Sequence, residues 1–147
     1  MLTIAIRPER LSYEYITETM EFVVNLPSKS LIKKVDFCGV KSGREIDKIK
    51  EMNFNLSNSS EINCPMINEC PITLECKVKN ILYLGTHHLF LAEILKVNVD
   101  EDLIDEYGKI HYEKANLISY CHGEYYPLPE KSLGKFGFSV KRKKKIK

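Results

Sequence analysis

Residues 72–78 alternate without a break. Ile72, Leu74, Cys76 and Val78 fall on one side, and Thr73, Glu75 and Lys77 fall on the other. A period of two is that of a strand with one face on the core, so the spacing predicts a half-buried β-strand. The run continues through ILYL to Gly85, passes His87-His88 in a turn, and returns as the apolar stretch LFLAEILKVNV. Two long strands joined this closely predict an antiparallel hairpin.

The first 52 residues carry shorter signals. Residues 2–7 (LTIAIR) are apolar and β-branched and read as a strand with nothing ahead of it to serve as a partner; Pro8-Glu9-Arg10 breaks it. Ser12 can cap a short helix, SYEYITET, with Glu14 in its first turn. Residues 21–26 (EFVVNL) return to a strand that Pro27 stops. Ser28 or Ser30 can cap a second helix, with Leu31, Val35 and Cys38 on one face and Gly39 at its end. Lys41-Ser42-Gly43 forms a short basic loop, and a third helix covers 44–52 with Ile46, Ile49 and Met52 inward.

Residues 53–71, rich in Asn, Ser and Pro, predict a long surface loop of a kind that is often functional. Asp100 to Asp105 is an acidic surface segment, HYEKANLIS a short helix or extended arm, and Tyr120 to Val140 a stretch rich in Gly and aromatics. This order predicts an α+β chain, mainly β, built as a barrel or sandwich with peripheral helices.

Composition narrows the function classes. The 147 residues suit one domain over 1–140, followed by a basic tail at 141–147. The tail holds six of the 22 basic residues, which leaves 16 basic against 20 acidic groups in the body. Positive charge confined to one end does not make a nucleic-acid-binding face, so no nucleic-acid partner is expected. Five cysteines (Cys38, Cys64, Cys70, Cys76, Cys121) include no C-x-x-C pair, so neither a zinc site nor any other metal site is expected. With no signal peptide and no apolar run long enough to span a bilayer, the reading is a cytoplasmic protein with free thiols and no membrane partner.

Candidate chemistry is sparse. His87 and His88 point to opposite faces if they lie on a strand, which suits one surface imidazole and one hydrogen-bonded imidazole better than a shared metal. Cys121-His122 has the composition of a nucleophile and its base, but neighbouring side chains seldom make that hydrogen bond. Neither a G-x-G-x-x-G nor a P-loop is present. Two stretches stand out. In Arg7-Pro8-Glu9-Arg10-Leu11-Ser12-Tyr13, a strand end feeds a helix start, where free N–H groups, a hydroxyl and two guanidinium groups can converge on an anion. In Cys38-Gly39-Val40-Lys41-Ser42-Gly43-Arg44, a Gly-flanked turn offers the same groups. Helix capping and solvated charge explain both stretches equally well.

The blocks IAIRPERLSYEYI, EFVVNLPS, VDFCGVKSGREIDK, INECPITLECKV, LGTHHLFLAEI and ANLISYCHGEYYPL, with Leu133 to Lys141, run in order over nearly the whole chain. Together they resemble the flavin-reductase-like family, specifically its flavoredoxin-type, FMN-binding split-barrel branch. The resemblance implies a split β-barrel that holds FMN non-covalently, in a homodimer with flavin sites near the subunit interface. It places Arg7, Pro8, Arg10, Ser12 and Tyr13, with the loop of Lys41, Ser42 and Gly43, near the flavin phosphate, and counts Cys38 among the cofactor-binding residues. It also puts His87 at the family's histidine near the flavin, the candidate catalytic residue. Ala92 stands where a glycine is common.

The resemblance also implies that the chain starts after roughly 40 residues of the family pattern, which supply the first barrel strands and an Asn-x-Met-Thr-x-Ala-Trp-like block. The barrel is thus expected to be N-terminally incomplete, and the absence of Trp agrees. The implied activity is that of a flavin-dependent oxidoreductase, passing electrons from NAD(P)H or another donor through flavin to a small-molecule or protein acceptor. The alternative is a non-catalytic flavin-binding electron carrier, or a truncated relative that dimerises without a complete flavin pocket.

Overall fold

A computed structural model describes residues 1–140; the basic tail at 141–147 lies outside the described residues. In chain order the elements are β1 (Leu2–Ile6), α1 (Leu11–Thr19), β2 (Glu21–Leu26), α2 (Ile32–Val40), α3 (Lys48–Glu51), β3 (Leu56–Ser57), β4 (Met66–Ile67), β5 (Ile72–Tyr83), β6 (His88–Val99), β7 (Ile118–Cys121) and β8 (Glu124–Pro127). Short 3₁₀ turns precede α2 and lie between β6 and β7. The chain is mainly β, as its periodicity predicts.

The predicted hairpin of β5 and β6 is the centre of an antiparallel four-stranded sheet of order β1-β6-β5-β2. β1 finds its partner far along the chain, running from Leu2 opposite Ala92 to Ile6 opposite His88. Two bulges interrupt the hairpin. Glu75 faces Lys96 while Cys76 faces Ile94, which leaves Leu95 as an extra residue; Val78 faces Ala92 while Asn80 faces Leu91, which leaves Lys79 as another. Each extra residue reverses the alternation, so the inward positions run 72, 74, 76, 78, 81 on β5 and 90, 92, 94, 99 on β6. Bulges also increase local twist, and the sheet curls into a half-barrel.

The concave face holds the core. Ile16 of α1 and Phe22 of β2 pack with Cys76, Val78, Phe90 and Ala92, with Leu2, Ile4 and Ile6 of β1 along one side. Phe90, Cys76 and Ala92 are wholly buried. The methyl group of Ala92, at the position where glycine is common, is therefore part of the packed core. A second cluster joins Ile72 to Leu103, Ala115 and Leu117, which docks the segment after β6 onto the sheet.

The opposite face of β5 departs from the sequence expectation. Thr73 and Glu75 are buried, Glu75 completely, because the segment 53–71 folds over them. That segment is not a bare loop: β3 and β4 pair within it, and Asn25 Oδ1 accepts the Ile67 N–H at 3.0 Å. The Glu75 carboxylate accepts the backbone N–H groups of Ser60 at 3.2 Å and Glu61 at 2.8 Å, and the Asn98 amide at 2.9 Å. Lys96, opposite Glu75, donates to Ser60 Oγ at 2.8 Å. Burial pushes the Glu75 carboxyl up, but these hydrogen bonds and the Lys96 charge outweigh it and hold the group below the usual carboxylate range. It is therefore buried as a satisfied anion.

Several predicted boundaries shift for local reasons. Arg10, not Ser12, is the N-cap of α1, and its side chain makes no capping bond. Ser28 and Ser30 bond to each other at 2.7 Å and cap nothing; a 3₁₀ turn over Lys29–Leu31 leads into α2 instead. Gly39 lies within α2, which runs on to Val40. The third helix shrinks to the single turn of α3, because Asp47 accepts the Lys50 N–H at 3.1 Å and starts a helix there. His122 and Gly123, with φ of 52° and 88°, form the two-residue turn of the β7–β8 hairpin, so the Cys121-His122 pair is a turn feature.

The acidic segment after β6 is closed by a histidine. His111 lies between Glu113 (Nδ1 to Oε1, 2.7 Å) and Asp105 (Nε2 to Oδ2, 2.8 Å). Asp105 also accepts the N–H groups of Tyr107 and Lys109, and the His111 N–H reaches Leu103 O at 2.7 Å. The hydrogen bonds from Glu113 and Asp105 raise the His111 pKa against burial and the Lys109 charge, and His111 in turn lowers that of both acids.

Two outcomes follow from these networks. Glu75→Gln keeps the shape of the side chain but turns an amide NH₂ toward backbone donors. It should lower unfolding stability by about 2–3 kcal/mol and cost the Ser60 and Glu61 amides their hydrogen-exchange protection. Because the Glu75 pKa is depressed, its contribution is complete above the ordinary value of 4.5 and declines as pH falls through the folded value.

The His111 clamp carries both signs. The raised histidine contributes fully below its ordinary 6.5 and is lost as pH rises through its folded value. The two depressed carboxylates contribute above their ordinary 3.8 and 4.5 and are lost on acidification. The difference in Tm between the wild type and His111→Asn should therefore be largest between about pH 4.5 and 6.5 and shrink on either side. A difference that stays the same well below and well above that window would refute the clamp.

Candidate functional site

The two basic stretches singled out in the sequence meet in space. Pro8, which has no N–H to donate, follows the end of β1, and the chain turns tightly with the Arg10 N–H on Arg7 O at 3.0 Å. That turn starts α1 beside the edge of the sheet. From the other side, α2 ends at Val40, and the loop after it is held by Ser42: its hydroxyl accepts the Arg44 N–H at 3.2 Å, and its carbonyl accepts those of Glu45 and Ile46. A β-carbon at Gly43 would lie 3.0 Å from Leu11 Cδ2, so glycine lets this loop come close against the first turn of α1.

Between α1 and the loop is an open cavity of about 760 Å³. Of the nine predicted cofactor-binding residues, Arg10, Ser12, Cys38, Lys41, Ser42 and Gly43 line it. Arg7, Pro8 and Tyr13 do not. Arg7 pairs with Glu9 at 2.7 Å, and the Tyr13 hydroxyl turns the other way to meet His88 Nδ1 at 2.9 Å, with its ring edge-on to Phe90.

The predicted catalytic residue, His87, sits exposed in the turn between β5 and β6, its ring beside Thr86 Oγ1 at 3.1 Å. It does not line the cavity. His88 is the half-buried, hydrogen-bonded imidazole of the pair. Through Tyr13 it fastens the β6 end of the sheet to α1, so His87 stands next to the residue that anchors this helix.

The electrostatics of the cavity are mixed. Glu9 is engaged by Arg7, Asp47 by the Lys50 N–H, and the Lys48 ammonium by the carbonyl of Cys38. Arg44, inside the second stretch but not among the nine predicted cofactor-binding residues, also lines the cavity and forms a bidentate pair with Glu14 of α1. This pair lowers the Glu14 pKa and raises that of Arg44. Burial pushes the Cys38 thiol up, against the charge of Lys48, so Cys38 is protonated near neutral pH.

Among the described residues, Arg10 and Lys41 have no carboxylate within ion-pair distance. The lining therefore holds two cations outside any ion pair, Arg10 near enough to Glu9 to feel its charge, with Glu45 and Asp47 also present, together with a Ser12 hydroxyl and the Leu11 and Ser12 N–H groups at the start of α1. That set is suited to an anion. Among the same residues no helix is long and apolar enough to cross a membrane.

The chain and its fold have known relatives. An uncharacterized protein of Archaeoglobus fulgidus is 34% identical over 113 residues, covering 77% of this chain and 64% of that protein. The chain spans about three-fifths of the length of the curated relatives it matches. The flavoredoxin of Desulfovibrio vulgaris (Miyazaki F) superposes with a TM-score of 0.84 at 25% identity, covering 95% of this chain and 76% of that one. A flavoredoxin from Methanosarcina acetivorans gives a TM-score of 0.79 at 28% identity, covering 95% and 75%. The half-barrel sheet is thus part of a split-barrel fold. Residues 1–129 match the flavin reductase like domain, and the chain belongs to that family.

Proposed function

We propose that this chain is a flavin-dependent oxidoreductase that binds FMN non-covalently, its phosphate held between α1 and the loop after α2. The observation that carries this reading is the convergence of Arg10, Ser12, Lys41 and Ser42 on one cavity, with Arg10 and Lys41 outside any ion pair among the described residues. The fit is chemical. A phosphate monoester carries about −1.5 to −2 charges near neutral pH, which two free cations and a hydroxyl can match. The volume of about 760 Å³ also leaves room for more than the phosphate alone. Bound FMN would supply the redox chemistry, accepting electrons from NAD(P)H or another donor and passing them to an acceptor.

The chain's own residues bind and orient. Arg10 and Lys41 hold the phosphate charge, Ser12 and Ser42 supply hydroxyls, and Gly43 sets the distance between the loop and the helix. His87, beside the Tyr13–His88 anchor, is proposed to present a hydrogen-bond donor to the flavin or the nicotinamide. Residues 1–140 act as one domain. The protein works in the cytoplasm as a homodimer; the exposed apolar residues Leu82, Tyr83 and Leu84 at the tip of the β5–β6 hairpin support such a contact.

The test is a titration with FMN followed by flavin fluorescence. Arg10→Gln and Lys41→Gln should each weaken binding by roughly three- to tenfold, the size of one charge-assisted contact. His87→Ala should leave FMN affinity within about twofold while slowing anaerobic reduction of the bound flavin by NADH or NADPH about tenfold. A protein that stays colourless with FMN would overturn the reading. FMN that binds but is bleached by neither nucleotide would make the protein an electron carrier.

A further inference from the structure

One cation of the cavity lining, Arg44, is already held by a carboxylate. Arg44 comes from the loop after α2 and Glu14 from the first turn of α1, 30 residues apart in sequence. They meet in a two-point contact, Nη1 to Oε2 at 3.3 Å and Nη2 to Oε1 closer still. This fork geometry is the one a guanidinium uses for a carboxylate or a phosphate alike. The loop and helix backbones that carry the pair are set by other contacts: Ser42 organises the loop, and Gly43 touches Leu11. The ion pair therefore is not needed to bring the two segments together.

Both side chains are about half exposed, 46% for Arg44 and 52% for Glu14. A pair that wet is weak on balance, so an incoming anion can displace it and leave Glu14 solvated. Glu14 is also favoured by the positive end of α1, where the proposed phosphate would lie.

We propose that Glu14 is a built-in stand-in for the ligand's phosphate: it holds Arg44 while the cavity is empty and yields it when a phosphate compound enters. The pair thereby sets how readily the bound compound exchanges with solution. Arg44 is a third phosphate-binding cation beside Arg10 and Lys41, and Glu14 is a positioning residue that acts through it. The inference rests on the anion-cavity reading, but its test does not need flavin. The consequence for FMN is that it is held exchangeably, because every binding event displaces an internal anion.

The experiment uses two probes on the full chain, methyl phosphate by NMR titration of the Ser42, Gly43 and Arg44 amides, and FMN by fluorescence. Glu14→Gln frees Arg44 and should tighten both probes by roughly two- to fivefold, the scale of one exposed ion pair. Arg44→Gln should weaken both, and Arg44→Lys should restore only part of the loss because it lacks the fork. In an Arg44→Gln background the effect of Glu14→Gln should vanish, since Glu14 acts through Arg44.

If Glu14→Gln leaves both affinities unchanged and lowers only Tm, the pair is a surface strap and the proposal fails. If the tightening persists without Arg44, Glu14 acts by simple repulsion and the proposal likewise fails. Methyl phosphate that binds with this pattern while FMN does not would sustain the stand-in and overturn the flavin reading. Silence to both probes would overturn the two together.

Discussion

The fold depends on one buried carboxylate. Glu75 lies in the middle of the longest strand pair, with no exposure, on the face of the sheet away from the main core. An isolated charge there would cost far more than the stability of a typical domain could absorb. It is tolerated because three N–H donors from two distant parts of the chain converge on it: the Ser60 and Glu61 amides of the 53–71 segment and the Asn98 side chain of β6. The Ser60 and Glu61 N–H groups find their acceptor in Glu75, while the Asn98 amide also reaches Met66 Sδ and Thr73 Oγ1. The carboxylate thus converts what would be a solvent-facing side of β5 into an interior surface, and gives an otherwise polar segment a defined place on the sheet.

The two bulges do the complementary work on the concave face. A strict alternation over twelve residues would carry one set of side chains along a single flat face. The extra residues Lys79 and Leu95 reverse the phase once on each strand, so the apolar positions keep facing a core that curves. The curl brings β1 against β6 and lets Ile16 of α1 seat beside Phe22, Phe90 and Ala92. The first turn of α1 then projects past the sheet edge, where the loop after α2 meets it. The cavity is a by-product of where a curved sheet must put its first helix.

Its electrostatic character follows from pairing. Several of the surrounding charges are engaged by neighbours, while Arg10, Lys41 and Glu45 are in no ion pair among the described residues. Arg10 is the N-cap residue of α1, and among the described residues its guanidinium is in no ion pair, though it lies near enough to Glu9 to feel its charge. Lys41 follows the last residue of α2, where it is exposed and unpaired by any described carboxylate. Arg44 lines the same cavity while half-exposed and paired with Glu14 of α1.

Much of this was legible from residue order alone. The period of two over 72–78, the short return between β5 and β6, and the prolines that stop β1 and β2 are local signals, and local signals determine strands because side-chain direction alternates with the backbone itself. The chemistry of Arg7–Tyr13 and Cys38–Arg44 was readable for the same reason: residue type limits what a side chain can bind. Periodicity says which residues share a face, but not whether another part of the chain covers that face. That is why Glu75 and Thr73 read as exposed and prove buried, and why β1 seemed to lack a partner that lies some ninety residues on, at Leu91 and Ala92.

Predicted helix lengths failed where a side chain competed for backbone donors, as Asp47 does at α3. The meeting of the two basic segments, the turning of Tyr13 toward His88 and the capture of Arg44 by Glu14 are contacts between residues 30 or more apart. The sequence by itself determined the strands and the kinds of group available. Only the tertiary structure decided which of those groups face each other, because that depends on the curl of the sheet and on loops whose positions no local pattern encodes.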